Sequence, residues 1–598
     1  MCGIAGIFAY QNKASLVQSQ EVCTIRDYMQ KRGPDAFGSF ISENKRIGLA
    51  HRRLSIIDLS ESGSQPMLTE DRRYVITFNG EIYNFQSLKK DLENIGVTFR
   101  SHSDTEVLLK LYVVYGEKML SLLRGMFAFA IWDDLEQTLF VARDHLGIKP
   151  LYYSFQNGIF RFASQVKALL VGQQIKTTLS AAGQVGFFLW GHIPEPFTLY
   201  NEIKSLPAGS YLKIRSGEAQ PKPIAFWQLN TIWQQAALQP LNLTLPERRE
   251  YLRDVLKDSV SHHLIADVPV GVFLSSGLDS TTLTALTAEN NQSVQTITLG
   301  FEEYQNTPND ETILANKVAT QYGTNQCTHW ISQTDFYESI ESILYAMDQP
   351  SIDGVNTYFV CQAAAKAGLK VALSGVGGDE LFGGYENFRS IPNRMKRGRQ
   401  INQIPLAKPA FQNLVFPLVQ KRLSAKAQYA LNYTGSVASA YFLSRCLLLP
   451  EQLKGMIDPS VFKQGMEELA TLETLEADTK DLPNMHSQIS LLEMKWYMRN
   501  QLLRDTDWAS MAHSLEVRTP LVDIDVIQKI APLYMGSNCP TKKEMATTPS
   551  HSLPKDILNK PKTGFSIPVA QWLLKEYPSY QAQGYKGWSN FLFDKFTM

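Results

Sequence analysis

Short apolar runs separated by turns dominate the first 215 residues of the chain. They include YVITFNGEIYNF, GMFAFAIWDD, TLFVARD, GIFRFAS and LPAGSYLKI. Runs of this length, bounded by glycine and polar turn residues, are typical of β-strands. The pattern therefore predicts a sheet-dominated domain over residues 1–215.

A different pattern begins near residue 247, where apolar strands alternate with helical segments. VPVGVFLS is followed by TTLTALTAEN, QTITLGF by ETILANKVATQYG, and the helical FVCQAAAKAG by KVALSG. This alternation predicts a second, α/β domain over residues 247–598, with a doubly wound parallel sheet and a helical C-terminal part. Residues 216–246, which contain Pro221, Pro223 and a Gln-rich stretch, are predicted to be a linker.

Length and charge support this division and narrow the function. A chain of 598 residues exceeds what one hydrophobic core supports. The 58 basic residues balance 58 acidic ones, so no overall field favours nucleic acid or an anionic membrane. The start MCGIAGIFAY lacks a basic flank and is too short to span a bilayer. We therefore expect a cytoplasmic protein that binds neither nucleic acid nor membranes.

Cysteine usage singles out one residue. The six cysteines are scattered and form no C-x-x-C pair, which argues against a zinc ribbon or a disulfide framework. Removal of Met1 would leave Cys2 with both a thiol nucleophile and a free amine, the combination used by N-terminal nucleophile hydrolases. Taken alone, Cys2 is better explained as a small residue in a buried strand.

The motifs that follow Cys2 give it a context. MCGIAGIF, KRGPDAFG, HRRLSIID, FNGEIYNF, SDTEVLL and RDHLGIKPLYY occur in the order that is typical of class II glutamine amidotransferases. The first domain resembles that family, which implies an α+β N-terminal nucleophile fold, an αββα sandwich, with glutaminase activity. Cys2 would be the nucleophile.

The resemblance also implies roles for the other motif residues. Arg53 would hold the glutamine carboxylate as a bidentate donor, and Glu81 and Asp104 would neutralise the α-amino group. Asn79 and the Gly80 amide would form the oxyanion hole. The pocket lining would be Leu54, Ser55, Ile56 and Ile57. Singly, simpler explanations exist: a solvated strand residue for Arg53, a hairpin turn at Asn79-Gly80, and a helix cap for Asp104.

The second domain carries two glycine-containing strand-to-helix loops. VGVFLSSGLDSTTLTAL can direct the amides of residues 276–280 at one anion. It is not a Walker A loop but resembles the SGGxDS loop of N-type ATP pyrophosphatases, with Ser276 in place of a glycine. ALSGVGGDELFGGY resembles that family's second signature. The resemblance implies ATP-binding positions at Leu274, Ser275, Ser276, Gly277, Leu278, Asp279, Ser280, Leu299, Ser374 and Gly375.

Two carboxylates in these loops are candidate magnesium ligands. Asp279 and Asp379 suit Mg²⁺ bound together with nucleotide phosphates, although acidic residues also cap helices. Further on, LRDTDWASMAHSLEVRTPLVD and SLPKDILNKPKTGFSIP resemble later family stretches. They imply that Lys562 neutralises charge at the pyrophosphate and in acyl transfer. Arg518 is predicted to be structural, paired with Glu516 or Asp523.

Together the motifs resemble the glutamine-hydrolysing asparagine synthetase family over residues 1–572. The resemblance implies an ATP- and Mg²⁺-dependent amidotransferase that uses glutamine and an adenylated carboxylate acceptor, with aspartate the expected acceptor. A homodimer is left open. Val376 replaces a glutamate that the family usually has, and Gln349 departs from the usual acceptor-side segment. A glycan uronic acid or a natural-product acid is the alternative acceptor, and a catalytically dead paralogue is the alternative of another class.

Overall fold

The computed structural model describes residues 2–290, 293–404, 406–419, 425–536, 539–560, 572 and 585–597. Two six-stranded sheets and one five-stranded sheet organise these residues. The strands are β1 Gly3–Phe8, β2 Ala36–Ile41, β3 Ile47–Arg53, β4 Met67–Leu68, β5 Tyr74–Ile82, β6 Gly125–Asp133, β7 Thr138–Arg143, β8 Tyr152–Gln156, β9 Ile159–Ala163, β10 Lys204–Ser205, β11 Ser210–Arg215, β12 Ile224–Ala225, β13 Val270–Phe273, β14 Gln295–Phe301, β15 Asn325–Ile331, β16 Val371–Leu373 and β17 Glu516–Arg518.

Helices flank the sheets and make up most of the last third, as the sequence predicts. They are α1 Ser19–Tyr28, α2 Phe85–Asn94, α3 Asp104–Tyr115, α4 Val166–Val171, α5 Ala181–Trp190, α6 Leu229–Leu238, α7 Leu245–His263, α8 Leu278–Asn290, α9 Thr312–Tyr322, α10 Gln333–Ala346, α11 Val355–Lys366, α12 Gly378–Leu381, α13 Asn387–Asn402, α14 Ala407–Ala410, α15 Phe416–Val419, α16 Val437–Arg445, α17 Pro450–Leu453, α18 Pro459–Leu469, α19 Thr471–Thr479, α20 Met485–Leu492, α21 Arg504–Met511, α22 Ile524–Tyr534, α23 Lys542–Met545, α24 Lys555–Leu558 and α25 Tyr585–Thr597. A π-helical stretch, Glu493–Leu503, joins α20 to α21.

The two six-stranded sheets of the N-terminal part pack face to face. Their orders are β10-β8-β9-β1-β3-β2 and β12-β11-β7-β6-β5-β4, and their pairings are antiparallel. Ile4 and Phe8 from one sheet share a core with Val75 and Trp132 from the other. Helices α1 and α4 cover the first sheet, whereas α2 and α3 cover the second. The predicted strand-rich domain is thus a four-layer arrangement, with helices outside and two sheets inside.

The third sheet is parallel, which confirms the prediction from the alternating pattern. Its order is β15-β14-β13-β16-β17. Successive connections move outward in one direction from β13 to β15 and in the other from β16 to β17. The order therefore reverses between β13 and β16, and a ligand crevice forms at such a switch point, beyond the carboxyl ends of the strands.

The two parts are joined more closely than a linker predicts. Helix α5 belongs to the first 215 residues, yet Phe187 and Trp190 lie in the same buried cluster as Ile297 and Phe359 of the second part. Residues 216–246 hold β12, which extends the second sheet, and α6, which packs on α22. In the described ranges, no helix combines the length and apolar character needed to cross a membrane.

Candidate active sites

The first candidate site is built around Cys2, at the start of β1. The backbone nitrogen of Cys2 donates to Asn79 Oδ1 at 2.9 Å, and its Sγ lies 4.0 Å from the Leu54 carbonyl oxygen. The residue is half-buried, and burial raises the pKa of the thiol. A thiol held in its neutral form needs a base to become a nucleophile. The nitrogen of Cys2 is the group that would become a free amine on removal of Met1.

Asn79 and Gly80 lie inside β5 and are paired with Ala128 and Phe127 of β6. The hairpin-turn explanation of Asn79-Gly80 is therefore wrong. Asn79 is fully buried, and within the described residues its Nδ2 has no hydrogen-bond partner. A buried, unpaired donor costs about 1–3 kcal/mol. Asn79 Oδ1 is bonded to the Cys2 nitrogen. The Nδ2 of the same side chain can therefore donate to a substrate atom that binds beside the nucleophile.

Gly80 is required by a close backbone approach. A Cβ at this position would lie 2.0 Å from the Met126 carbonyl oxygen and 2.7 Å from Phe127 Cα. No side chain fits there without separating β5 from β6. The glycine thus keeps the Asn79–Gly80 stretch of β5 against its neighbour.

Arg53, Glu81 and Asp104 are all buried, so the solvated-strand explanation of Arg53 is wrong. Arg53 ends β3 and donates from Nη1 to the Ser60 carbonyl at 2.8 Å and from Nη2 to the Asp58 carbonyl. Asp104 Oδ2 accepts from the Ile82 amide at 3.1 Å. Burial raises the pKa of Asp104 to about 6 and also raises that of Glu81.

Helix α3 has a different cap from the one considered for Asp104. Ser103 is the N-cap residue, and its hydroxyl accepts from the Thr105 amide at 3.2 Å. Asp104 is the first residue of the helix proper. Its carboxylate, which contacts Ile82 on β5, is therefore not needed as the cap, and the helix-cap explanation is wrong.

The predicted pocket loop 54–57 also forms part of the contact between the two parts of the chain. Leu54 and Ile56 share a buried cluster with Val371 and Met511. Ser55 donates its amide to Asp35 Oδ2 at 2.8 Å, whereas Ile57 is only partly buried. The Ile56 carbonyl accepts from the Asp267 amide at 2.9 Å. Residues predicted to bind glutamine thus contact the segment that leads into β13.

The second candidate site lies at the switch point of the parallel sheet. Hydrogen bonds of serine hydroxyls hold the loop between β13 and α8. Ser275 Oγ and Ser280 Oγ are 2.9 Å apart, and Ser275 Oγ accepts from the Gly277 amide at 3.1 Å. Leu274, which directly follows β13, and Leu299 on the adjacent strand β14 are both buried. Leu278 starts α8. Strand, loop and helix follow one another as the sequence predicts.

Ser276 is accommodated in this loop. Its side chain is almost fully buried, and its hydroxyl accepts from Lys560, which also pairs with Glu311 at 2.9 Å. The Cβ that distinguishes it from the family glycine therefore belongs to a bonded, packed side chain.

The loop after β16 presses against Asp279. Ser374 donates its amide to the Arg518 carbonyl at 2.8 Å. A Cβ on Gly375 would lie 2.9 Å from Asp279 Cβ, and one on Gly378 would lie 2.3 Å from Asp279 Oδ1. Only glycine permits this approach, which places Asp379 of α12 beside Asp279 of α8.

Lys542 shows how close the two carboxylates are. Its ammonium lies 2.6 Å from Asp279 Oδ2 and also donates to Asp379 Oδ1. Burial lowers the pKa of Lys542, but the two carboxylates outweigh it and the net shift is upward. A cation that contacts one carboxylate can therefore contact the other. Nothing in the local sequence TKKEM distinguishes Lys542 from a surface lysine, so this contact could not be predicted from the sequence.

Three further residues singled out in the sequence are Gln349, Val376 and Lys562. Gln349 accepts from the Leu199 amide at 2.9 Å, so its side chain is used in the contact with the N-terminal part. Val376 packs against a large apolar cluster. Lys562 lies outside the described residues.

Arg518 pairs with Glu516 at 2.6 Å, as one of the two predicted partners. It also lies 3.5 Å from Glu81 and donates to the carbonyls of His263 and Ile265. Asp523, the other predicted partner, pairs instead with Arg124 at 2.7 Å. A buried arginine of β17 thus contacts a residue of the predicted glutamine pocket.

Two family models match the chain. Residues 1–227 match the glutamine amidotransferase domain, and residues 251–587 match asparagine synthase. Asparagine synthetase (glutamine-hydrolysing) 1 of Bacillus subtilis is 34% identical over 96% of this chain and 88% of its own length. Asparagine synthetase B of Escherichia coli is 32% identical over 66% of each chain.

More distant similarities extend the comparison. A protein of Gibberella zeae named amidase chry2 is 27% identical over 88% of this chain and 81% of its own length. A solved glutamine PRPP amidotransferase from Bacillus subtilis has a TM-score of 0.30 and 16% identity, covering 55% of this chain and 65% of its own.

Proposed function

Because the chain belongs to the asparagine synthase family, we propose that it hydrolyses glutamine at Cys2 and transfers the ammonia to a carboxylate adenylated by ATP. The glutaminase occupies residues 1–215, with an N-terminal nucleophile fold, and the synthetase occupies residues 247–598. The observation that carries the proposal is the presence in one chain of two built sites. One is Cys2 beside the unpaired Asn79 amide, and the other is the Asp279–Asp379 pair at the switch point.

In the glutaminase, the Cys2 thiol attacks the amide carbon of glutamine. The new C–S bond gives a tetrahedral oxyanion, and its collapse breaks the C–N bond, releases ammonia and leaves a thioester that water hydrolyses to glutamate. The amine at the Cys2 nitrogen takes the thiol proton and delivers it to the leaving nitrogen. Asn79 Nδ2 and the Gly80 amide donate to the oxyanion. Arg53, Glu81 and Asp104 bind the two ends of the amino acid.

In the synthetase, ATP binds across the loops after β13 and β16. The loop of residues 275–280 would lie beside the phosphates, at the start of α8, where the helix dipole favours an anion. Asp279 and Asp379 would hold Mg²⁺, since carboxylates are its preferred protein ligands and both reach one cation here. A magnesium ion held there would neutralise charge at the phosphates. Lys562 is proposed to stabilise charge during acyl transfer.

Aspartate is the proposed acceptor, following the names of the relatives. Gln349 gives no reason to doubt it, because its side chain bonds to the Leu199 backbone. Val376 does give one, since valine cannot take a proton from attacking ammonia. A uronic acid or another small carboxylic acid remains the second candidate. A dead paralogue is disfavoured, because a chain without activity has no reason to keep Cys2, Asn79, Asp279, Asp379 and Lys562 together.

Two substitutions test the proposal by separating its halves. Cys2→Ala should abolish amide formation from glutamine while leaving formation from ammonium. Asp379→Asn should abolish pyrophosphate release while leaving glutamate formation. Amide formation, pyrophosphate release and glutamate formation are measured for both variants with ATP and aspartate, and then with a panel of carboxylic acids in place of aspartate. Glutamate formation at the normal rate by Cys2→Ala, or unchanged pyrophosphate release by Asp379→Asn, would refute the corresponding half.

A further inference from the structure

A buried arginine connects the nucleophile of the first site to the second part of the chain. Arg32 follows α1 and is about 1% exposed. Its Nε donates to the Cys2 carbonyl oxygen at 3.1 Å. The guanidinium therefore fixes the peptide unit that carries the nucleophile.

The other side of the Arg32 guanidinium binds a residue that lies 475 positions away. Nη1 donates to Asp507 Oδ2 at 2.7 Å, and Nη2 donates to Asp507 Oδ1 at 3.0 Å. Both side chains are buried. A bidentate pair of this kind fixes orientation as well as distance. The position of Cys2 therefore depends on the position of helix α21.

The same turn of α21 holds the segment that precedes α11. Asp505 accepts from the Ser351 hydroxyl at 2.8 Å and from Trp508 Nε1 at 2.8 Å. A Cβ on Gly354 would lie 2.6 Å from the Trp508 ring. Residues 351–354 belong to the segment DQPSIDGVNTYF, residues 348–359, which the family resemblance assigns to the acceptor side. They are thus packed directly on the turn that also carries Asp507.

We propose that Arg32 and Asp507 are positioning residues that couple the acceptor side of the synthetase to Cys2, an inference that rests on the proposed function. When the acceptor binds, a displacement of residues 351–354 moves the turn 505–508. The rigid guanidinium then passes this movement to the Cys2 carbonyl. A shift of about 1 Å at a reacting group is enough to change a rate by roughly 100-fold. Glutamine hydrolysis thereby becomes fastest when an acceptor is present to use the ammonia.

The first test uses variants at both ends of the connection. Asp507→Asn keeps the shape but removes the charge that holds Arg32, and Ser351→Ala removes one hydrogen bond at the acceptor end. Lys370→Met is the matched control, because it breaks a different contact between the two parts, the half-exposed pair with Asp35 at 2.7 Å. Glutaminase kcat and KM are measured with and without MgATP and aspartate, together with glutamate formed per amide. Amide formation from ammonium reports that the synthetase is folded.

We expect both variants to lose the stimulation of glutaminase by MgATP and aspartate and to form more glutamate per amide, by roughly two- to thirtyfold, the range for residues that transmit coupling. Lys370→Met should behave as the unmodified protein. If the basal rate falls in Asp507→Asn but the stimulation ratio is unchanged, the contact is only structural and the inference is wrong. Absence of any stimulation in the unmodified protein, with amide still formed from ammonium, would also overturn it.

A readout that needs no acceptor separates this inference from the proposed function. If no amide forms from ammonium, ATP and aspartate, the proposed acceptor is wrong, but the mechanical connection can still be measured. Ser351→Ala should then change glutaminase kcat/KM and the rate of Cys2 alkylation by iodoacetamide, whereas Lys370→Met should change neither. Equal values in all three proteins would overturn the inference.

Discussion

Replacement of Asn79 by alanine is the sharpest test of the glutaminase site. Asn79 is fully buried in β5, Oδ1 accepts from the Cys2 nitrogen at 2.9 Å, and within the described residues Nδ2 has no partner. The unpaired donor is a cost in the free enzyme that becomes a gain when an oxyanion forms beside Cys2. Asn79→Ala should therefore lower the rate of glutamine hydrolysis.

The expected size follows from the role. Loss of one oxyanion donor costs about 10²- to 10³-fold in kcat, or about 2.7–4 kcal/mol. Because the donor acts on the transition state, kcat should fall while the KM for glutamine changes little. Amide formation from ammonium should stay near its normal rate, since the second site lies on a different sheet.

The assay measures glutamate release over a range of glutamine concentrations, with Thr77→Val as the control. Thr77 is a fully buried neighbour on the same strand, and its hydroxyl donates to the Ala50 carbonyl at 3.1 Å. Its replacement tests whether any loss of a polar group in β5 slows the enzyme. If kcat decreases by less than about tenfold in Asn79→Ala, or decreases equally in the control, the oxyanion role is contradicted.

Three other predictions concern the remaining features of the two sites. Gly378→Ala would place a Cβ 2.3 Å from Asp279 Oδ1 and should reduce pyrophosphate release by about 100-fold or more. Gly435→Ala is the control, because a Cβ at that position meets nothing within 4 Å, and it should not reduce the release. Equal effects of the two substitutions would refute the close-approach argument. Burial raises the pKa of Asp104 to about 6, and the carboxylate is lost as pH falls through that value. Thus kcat/KM for glutamine should show an acid limb near pH 6 that is absent in Asp104→Asn. The unmodified enzyme should form asparagine slowly from aspartate, and Val376→Glu should be faster, because a positioned general base contributes about 10²- to 10⁴-fold. Rapid formation that is lowered by Val376→Glu would show that valine belongs to a working aspartate site.

The elements that hold both sites were predictable because their signals are local. In VGVFLSSGLDS an apolar strand is followed by a glycine-containing loop and the start of a helix. Residues only a few positions apart are enough to predict each of these elements. Two such strands in a parallel sheet have their carboxyl ends at one edge, so the proximity of Asp279 and Asp379 also followed from the pattern. The roles of Asn79 and Lys562 came only from the order of family motifs, and Lys562 stays a prediction outside the described residues.

Tertiary structure alone decided the contacts between distant parts of the chain. Lys542 joins the two carboxylates, Gln349 bonds to Leu199, α5 enters the second core, and Arg32 reaches Asp507 across 475 positions. A single lysine, glutamine or arginine has the same local pattern whether it lies in solvent or in a buried pair. Its partner is set by how whole sheets and helices pack, which minimises exposed apolar surface over the entire chain and is not encoded in the spacing of any one segment.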